Sequence, residues 1–219
     1  MVVASKAITY STSQIGHPNG PQAHWLDDGR LHLHHGPIDL VIGADGAPDY
    51  VGQAYSAAID RFSSILEELV SELALLRKPV GQKACHPTGR VAARMWAATM
   101  AHADIYKGAN YVTAMAAVAG AVADEILSVM HDAAELDRIY VNNGGDIALY
   151  LHPAAVAVPH YTVGVCADPD VVFSSAVTTD ASTGDWAARP VSNAFAGTIK
   201  ITAADQVGGI ATSGWKGRS

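Results

Sequence analysis

The stretch that most constrains the fold is RIYVNNGGDIALYL (138–151), in which two apolar runs with alternating side chains flank the segment NNGGD (142–146). An Asn-Gly pair between such runs is the strongest short-range signal for a β-hairpin, because both central residues of the tight turn need positive φ. Taken alone, the stretch favours a plain turn. The alternative is a strand kink at which glycine lets a ligand approach the backbone.

Further strands are predicted on both sides of this stretch. Apolar side chains alternate over 31–35 and, after a Gly-Pro break, over 38–42, which predicts a pair of strands or one bent strand. The segments YTVGVCA (161–167) and GTIKITA (197–203) are also strand-like.

Three histidines lie close together in the first of these runs: His32, His34 and His35. In a strand His32 and His34 share one face and His35 lies on the other, so at most two imidazoles can converge. Without a carboxylate or cysteine at a partner spacing, the pattern favours a surface strand with exposed imidazoles over a metal site.

Helical periodicity appears in three segments. Leucine, isoleucine and phenylalanine recur every three or four residues within 47–79, and shorter helices are predicted over 91–102 and from Thr113 to His131, with Thr113 as the N-cap. Strands before, between and after helices, several joined by short turns, predict an α+β fold with a largely antiparallel sheet.

Composition excludes some partners and compartments. Charged residues make up 16% of the chain and the net charge is −7, so no basic surface for nucleic acid is expected. The N-terminus has no apolar run typical of a signal peptide, and the longest apolar run, 114–123, is about half the length that spans a bilayer. We expect a soluble, cytoplasmic protein without membrane or nucleic-acid partners.

The third predicted helix is built from unusually small side chains. Ala116 and Gly120 are four residues apart, as are Ala119 and Ala123. Glycine inside a helix costs about 1 kcal/mol relative to alanine, so Gly120 predicts contact with a sheet or ligand that a Cβ would block.

Three segments together resemble one family: VTAMAAVAGAVADEI (112–126), YVNNGGDIAL (140–149) and GGIATSGWKGRS (208–219). They are similar to the uncharacterised cytoplasmic branch of the ApbE-like superfamily, whose namesakes are FAD:protein FMN transferases that use Mg²⁺. The resemblance implies an ApbE-like fold related to the T-fold, with antiparallel sheets backed by helices in two pseudo-repeated halves. It also turns the interpretation of the glycine pair from a free hairpin tip to a strand kink that lines a pocket.

The resemblance implies a set of ligand-binding residues. Gly120 and Asp124 match the Gly and Asp of the transferases' Lys-Gly-x-x-x-Asp segment, and 142–146 matches their glycine strand. The residues implied at the cofactor site are Thr113, Met115, Ala116, Gly120, Asp124, Asn142, Asn143, Gly144, Gly145, Asp146, Thr212, Ser213 and Gly214. The implied cofactor is FAD or FMN with Mg²⁺.

The sequence also departs from the transferases. Ala119 stands at the position of their Lys, and their His-x-x-Asp-Pro-x-x-Gly segment is absent. The chain stops at Ser219, where relatives continue with metal-binding residues, so catalytic residues and metal ligands are left unassigned. We expect a loose arm over 1–22 and a single domain over 23–219 that is incomplete relative to the family. An unpaired sheet edge near 209–219, filled by another copy or a second chain, is then expected.

Three functions agree with these features. The first is binding of a flavin, pterin or similar nucleotide-like ligand, with activity as an Mg-dependent FMN transferase or phosphate-ester hydrolase. The second is a non-catalytic binding or assembly subunit with the same fold, since fold alone does not carry function. The third is a hydrolase of small cyclic amides.

Overall fold

The computed structural model describes residues 20–80, 86–103, 112–154, 160–166, 195–205 and 208–212. The chain forms two compact units, one comprising 1–152 with 208–219 and the other comprising 153–207. The strands are, in chain order, β1 (Gln22–Trp25), β2 (Leu31–His35), β3 (Ile38–Asp45), β4 (Arg138–Asn143), β5 (Asp146–Leu151), β6 (His160–Cys166), β7 (Phe195–Thr202) and β8 (Gly209–Ile210). The helices are α1 (Pro48–Ser71), α2 (Leu73–Leu76), α3 (Arg90–Ala103) and α4 (Val118–Ala133), with 3-10 helices at Ala114–Ala117 and Ala203–Asp205.

The first unit contains a six-stranded sheet in the order β1-β2-β3-β4-β5-β8. All of its strand pairs are antiparallel. The predicted α+β class with antiparallel sheets backed by helices is therefore confirmed. In the second unit β6 pairs with β7, also antiparallel, with a register shift between Val165 and Cys166.

One face of the six-stranded sheet forms the core. The alternation of β2 and β3 places Leu31 opposite Ile42 and Leu33 opposite Leu40, and all four are almost completely buried. The apolar stripes of α1 and α4 cover this face, as the helical periodicity predicts. Burying one such side chain stabilises the fold by about 1.5–3 kcal/mol, so this packing fixes α4 over β4 and β5.

His35 is an exception to the prediction of exposed imidazoles. His35 shares the inner face of β2 with Leu31 and Leu33, is 5% exposed, and packs its ring against Phe62 at a centroid distance of 6.4 Å. His32 and His34, on the other face, are only partly buried. The prediction was wrong for His35 because the strand buries the face to which it belongs.

The segment Ala114–Ala133 is long and apolar enough to cross a membrane by length and composition alone. The sequence-based prediction considered only the uncharged run 114–123, which is about half the length needed to span a bilayer. The helix packs on β4, β5 and α1 as a core helix, which does not indicate a membrane protein and agrees with a soluble one.

The predicted N-terminal arm lies mostly outside the described residues, which begin at 20. At the other end of the chain, the short strand β8 pairs with β5 and is the last strand in the order of the sheet. The structure thus brings the segment around residue 212 beside the turn between β4 and β5.

Candidate functional site

The segment 142–146 forms the turn of a hairpin between β4 and β5. Asn143 pairs with Asp146, and the two residues between them, Gly144 and Gly145, have φ of 61° and 105°. Positive φ at the glycines was predicted and is confirmed. The interpretation as a strand kink was wrong, because the chain reverses direction here.

The two asparagines fix this turn in different ways. Oδ1 of Asn142 accepts a hydrogen bond of 2.9 Å from the amide of Gly145, within the turn itself. Asn143 is 8% exposed, and its Nδ2 donates a hydrogen bond of 3.0 Å to the carbonyl of Ala119 at the start of α4. A buried amide without a partner would be costly, so this bond ties the turn to the helix.

Thr212 covers the turn from the other side. Its amide donates to Oδ1 of Asp146 and its hydroxyl donates to the carbonyl of Gly145, both at 3.1 Å. A Cβ at position 145 would lie 2.5 Å from Oγ1 of Thr212. Only glycine therefore fits at Gly145, and the hairpin tip is held by the chain that follows β8.

Gly120 lies over Asp146 in the first turn of α4. Among the described residues, the atom nearest to a Cβ at position 120 would be Oδ2 of Asp146, at 3.9 Å, which is an ordinary van der Waals contact. The prediction was contact with a sheet or a ligand that a Cβ would block; the described part of the sheet does not make such a contact, and contact with a ligand stays a prediction. The half-buried backbone of Gly120 remains accessible.

Asp124 follows Gly120 by one helical turn and lies on the same side of α4. Asp124 is exposed at the surface of α4, but partial desolvation by the surrounding protein raises the pKa of its carboxyl, and the positive charge of Arg94 partly opposes this shift. A carboxylate with a raised pKa is typical of functional sites. We refer to Asn142–Asp146, Thr212, Ala119, Gly120 and Asp124 as the glycine-turn site.

The remaining predicted residues lie just before α4. Thr113 was predicted as an N-cap, but its side chain makes no capping hydrogen bond, because the chain enters a 3-10 helix here and the Thr113 carbonyl accepts from the amide of Ala116. Met115 packs against the core, and Ala116 is exposed. Ser213 and Gly214 lie outside the described residues.

Ala116 borders a cavity of about 340 Å³ between α3 and the 3-10 helix before α4. Its described lining residues are Ala98, Thr99, His102, Val112, Ala116 and Ala117. The buried hydroxyl of Thr99 is already bonded to the carbonyl of Met95 at 2.8 Å, so the wall is mainly apolar, with His102 as its ionisable member. His102 and Arg94 were missed by the sequence-based predictions, since neither belongs to a local motif.

The model of a family described as "AbpE bacteria" matches residues 23–219, so the chain belongs to this family. No curated protein matches the chain.

Proposed function

We propose that this chain, as a member of the AbpE bacteria family, binds a flavin, pterin or other nucleotide-like small molecule at the glycine-turn site. The observation that carries the proposal is the open space beside the backbone of Gly120, next to Asp146. Glycine in a helix costs about 1 kcal/mol relative to alanine, yet outside its chain neighbours and the backbone of α4 itself no described atom lies closer than 3.9 Å to where its Cβ would be. Bare helix backbone beside Asp146 is explained by a ligand that approaches more closely than a Cβ would allow.

The neighbouring cavity supports the same function. Its volume of about 340 Å³ is within the usual range of roughly 300–1,000 Å³ for small-molecule pockets. Its small, apolar wall suits a flat ring system, and the polar groups of the glycine-turn site suit the hydrogen-bonding edge or the polar tail of such a ligand. Both features are built on the same stretch of chain, from Val112 to Gly120.

The resemblance to the ApbE-like superfamily favours FAD or FMN within this ligand class, with Mg²⁺ as the accompanying ion. Among the described residues, no three His, Cys, Asp or Glu side chains are grouped to hold a metal. We therefore propose ligand binding, assign no residue a catalytic role and include no metal-dependent step. Transfer or hydrolysis of a phosphoester is the reaction class that the resemblance implies if the protein is an enzyme.

A non-catalytic binding or assembly subunit is the second candidate, because Ala119 occupies the position of the transferases' Lys. The same proposal includes a cytoplasmic location and assembly as a homo-oligomer. An enzyme and a non-catalytic subunit would both bind the ligand, and only the enzyme would convert it to a product.

The test is a titration of FAD, FMN, ATP and pterin into the full chain, with and without Mg²⁺, followed by flavin fluorescence and calorimetry. Gly120→Leu fills the space beside Asp146 and is expected to weaken binding of the flavin or other bound compound at least about tenfold. Gly52→Leu is the matched control, since Gly52 is also a helical glycine with no described atom within 4 Å of its Cβ position.

The melting temperature of each variant separates lost binding from lost folding. Binding that is lost in Gly120→Leu and kept in Gly52→Leu, with both variants folded, supports the site. Failure of the wild-type chain to bind any of these compounds, or equal binding by Gly120→Leu, would sink the proposal.

A further inference from the structure

A buried carboxylate on α4 forms ion pairs with three arginines. Glu125 is 0% exposed, and its two oxygens lie 2.7 Å from Nε of Arg61, 3.2 Å from Nε of Arg90 and 3.3 Å from Nε of Arg94. A buried charge needs a partner, but one carboxylate does not need three cations.

Arg61 makes most of its hydrogen bonds within the protein. Its Nη1 donates to Ser64 and Glu68, and its Nη2 donates to the second oxygen of Glu68 at 2.8 Å. The hydrogen bond with Glu68 is the main reason why the pKa of Arg61 is raised. With only 14% of its side chain exposed, Arg61 links two carboxylates and uses four of its five N–H donors within the protein.

Arg90 and Arg94 differ from Arg61. They lie four residues apart on one face of α3, a spacing that puts their Cβ atoms about 5–6 Å from each other. Their side chains are 60% and 39% exposed, and each reaches Glu125 through Nε. In the part of the chain that the structure describes, their Nη groups donate no hydrogen bond.

The charges in contact within this cluster do not balance. Three guanidinium groups face two carboxylates, Glu68 and Glu125. Glu72, the next acidic residue on this side, accepts hydrogen bonds from the amides of Thr88 and Gly89 and so serves the N-terminus of α3 instead.

Asp124 also lies near Arg94. It interacts with Arg94 only through its charge, and desolvation raises the pKa of the Asp124 carboxyl. Neither Asp124 nor Glu72 therefore accepts a hydrogen bond from the Nη groups of Arg90 and Arg94, and these donors are left for an outside partner.

We propose that Arg90 and Arg94 form an oxyanion site for the phosphate group of a small phosphorylated ligand. Two planar guanidinium groups presenting Nη donors at one place suit the oxygens of phosphate, which arginine binds in a forked, charge-assisted geometry. Glu125 is the positioning residue, because it holds both guanidinium groups by Nε and leaves their Nη edges to the ligand. The site does not depend on flavin binding at the glycine-turn site.

The test is a calorimetric titration of inorganic phosphate, pyrophosphate and AMP into the full chain at low ionic strength, with sodium chloride as the reference salt. Arg90→Gln and Arg94→Gln are each expected to weaken phosphate binding about tenfold or more, since each removes charge-assisted hydrogen bonds. Arg77→Gln is the matched control. Arg77 is an exposed arginine that follows the last residue of α2 and makes no ion pair with Glu125 in the described part of the chain, so this substitution removes the same charge outside the cluster. Binding of AMP but not of inorganic phosphate would identify a phosphoester as the source of the anion.

The affinities of the three variants distinguish a specific phosphate site from a nonspecific effect of net charge on anion binding. Loss in Arg90→Gln and Arg94→Gln with little change in Arg77→Gln supports the site. The absence of binding of inorganic phosphate, pyrophosphate and AMP alike by the wild-type chain, or an equal effect of all three variants, overturns it. If Arg94→Gln does not fold, Arg90→Gln still decides, since the Arg90 side chain is mostly exposed. Gly120→Leu, which tests the glycine-turn site, should leave phosphate binding unchanged. This result would show that the two sites bind their ligands independently.

Discussion

The carbonyl of Gly145 accepts a hydrogen bond of 3.1 Å from the hydroxyl of Thr212, so the hairpin tip between β4 and β5 is closed by a residue 67 positions further along the chain. The same contact leaves no room for a Cβ at position 145. Gly144, its neighbour in the turn, also has positive φ but has no described atom within 4 Å of its Cβ position. The two glycines therefore serve different purposes.

Alanine substitutions should separate these purposes. Gly144→Ala is expected to cost about 1–2 kcal/mol in the free energy of unfolding, from backbone strain alone. Gly145→Ala should cost more, because a clash with Oγ1 of Thr212 is added. Urea denaturation measures both values. In a Thr212→Ala background the cost of Gly145→Ala should fall by the share of the clash and leave the strain of its φ of 105° alone, and an unchanged cost would contradict the contact.

The second prediction concerns the neighbouring asparagines. Asn143→Asp replaces a buried donor with a carboxylate that faces the carbonyl of Ala119, and it is expected to destabilise the fold by about 1–3 kcal/mol at neutral pH. The loss should shrink at acid pH, where the protonated Asp can donate again. Thermal melts across pH measure this dependence.

Asn142→Asp is the matched control for that change. The side chain of Asn142 acts as an acceptor from the amide of Gly145, and a carboxylate can accept the same bond. Its effect should stay within about 0.5 kcal/mol. Equal destabilisation by the two variants would show that charge at the turn, and not loss of the donor, is responsible.

The third prediction tests the arginine cluster as a stability element. Glu125→Gln keeps the shape of the side chain but removes the charge that three arginines face. Breaking a buried ion pair by removing one partner costs about 3–5 kcal/mol, and denaturant unfolding should show a loss of this size. Glu67→Gln is the control, because Glu67 is 65% exposed and lies 3.7 Å from His35. A loss below 1 kcal/mol in Glu125→Gln, on the order of a surface change, would contradict a structural role for the cluster.

Local patterns predicted the elements of this fold better than its contacts. The periodicity of 47–79 matches α1 and α2, the alternation around the Gly-Pro break matches β2 and β3, and 142–146 matches the turn. Each of these rests on neighbours in sequence, where periodicity and turn chemistry act directly.

Contacts between residues that are distant in the sequence have no comparable local pattern from which they could be predicted. In the sequence Glu125 is only an acidic residue after an apolar run, and nothing local indicates that three arginines of two other helices contact its carboxylate. The covering of Gly145 by Thr212 depends on the pairing of β8 with β5. His35 was assigned to the wrong environment because alternation alone does not say which face of a strand is buried.

The last prediction concerns the pH dependence that Asp124 gives to the fold. Desolvation raises the pKa of this carboxyl in the folded chain, so the folded state holds the proton more tightly than the unfolded state does. Stability therefore falls as pH rises from the ordinary pKa of aspartate to the raised pKa, and it stays lower above that interval. Asp124→Asn removes this loss. Melting temperatures measured from acid to neutral pH should show the variant gaining on the wild type as pH rises, whereas Asp60→Asn, an exposed change on α1, should show no such gain. An equal difference in melting temperature between Asp124→Asn and the wild type at every pH would contradict a raised pKa of the Asp124 carboxyl.

A carboxylate that is kept at a cost in stability is typical of a residue retained for ligand binding. Asp124→Asn should therefore also weaken binding of whichever flavin, pterin or nucleotide proves to bind, at a pH where the carboxyl is ionised.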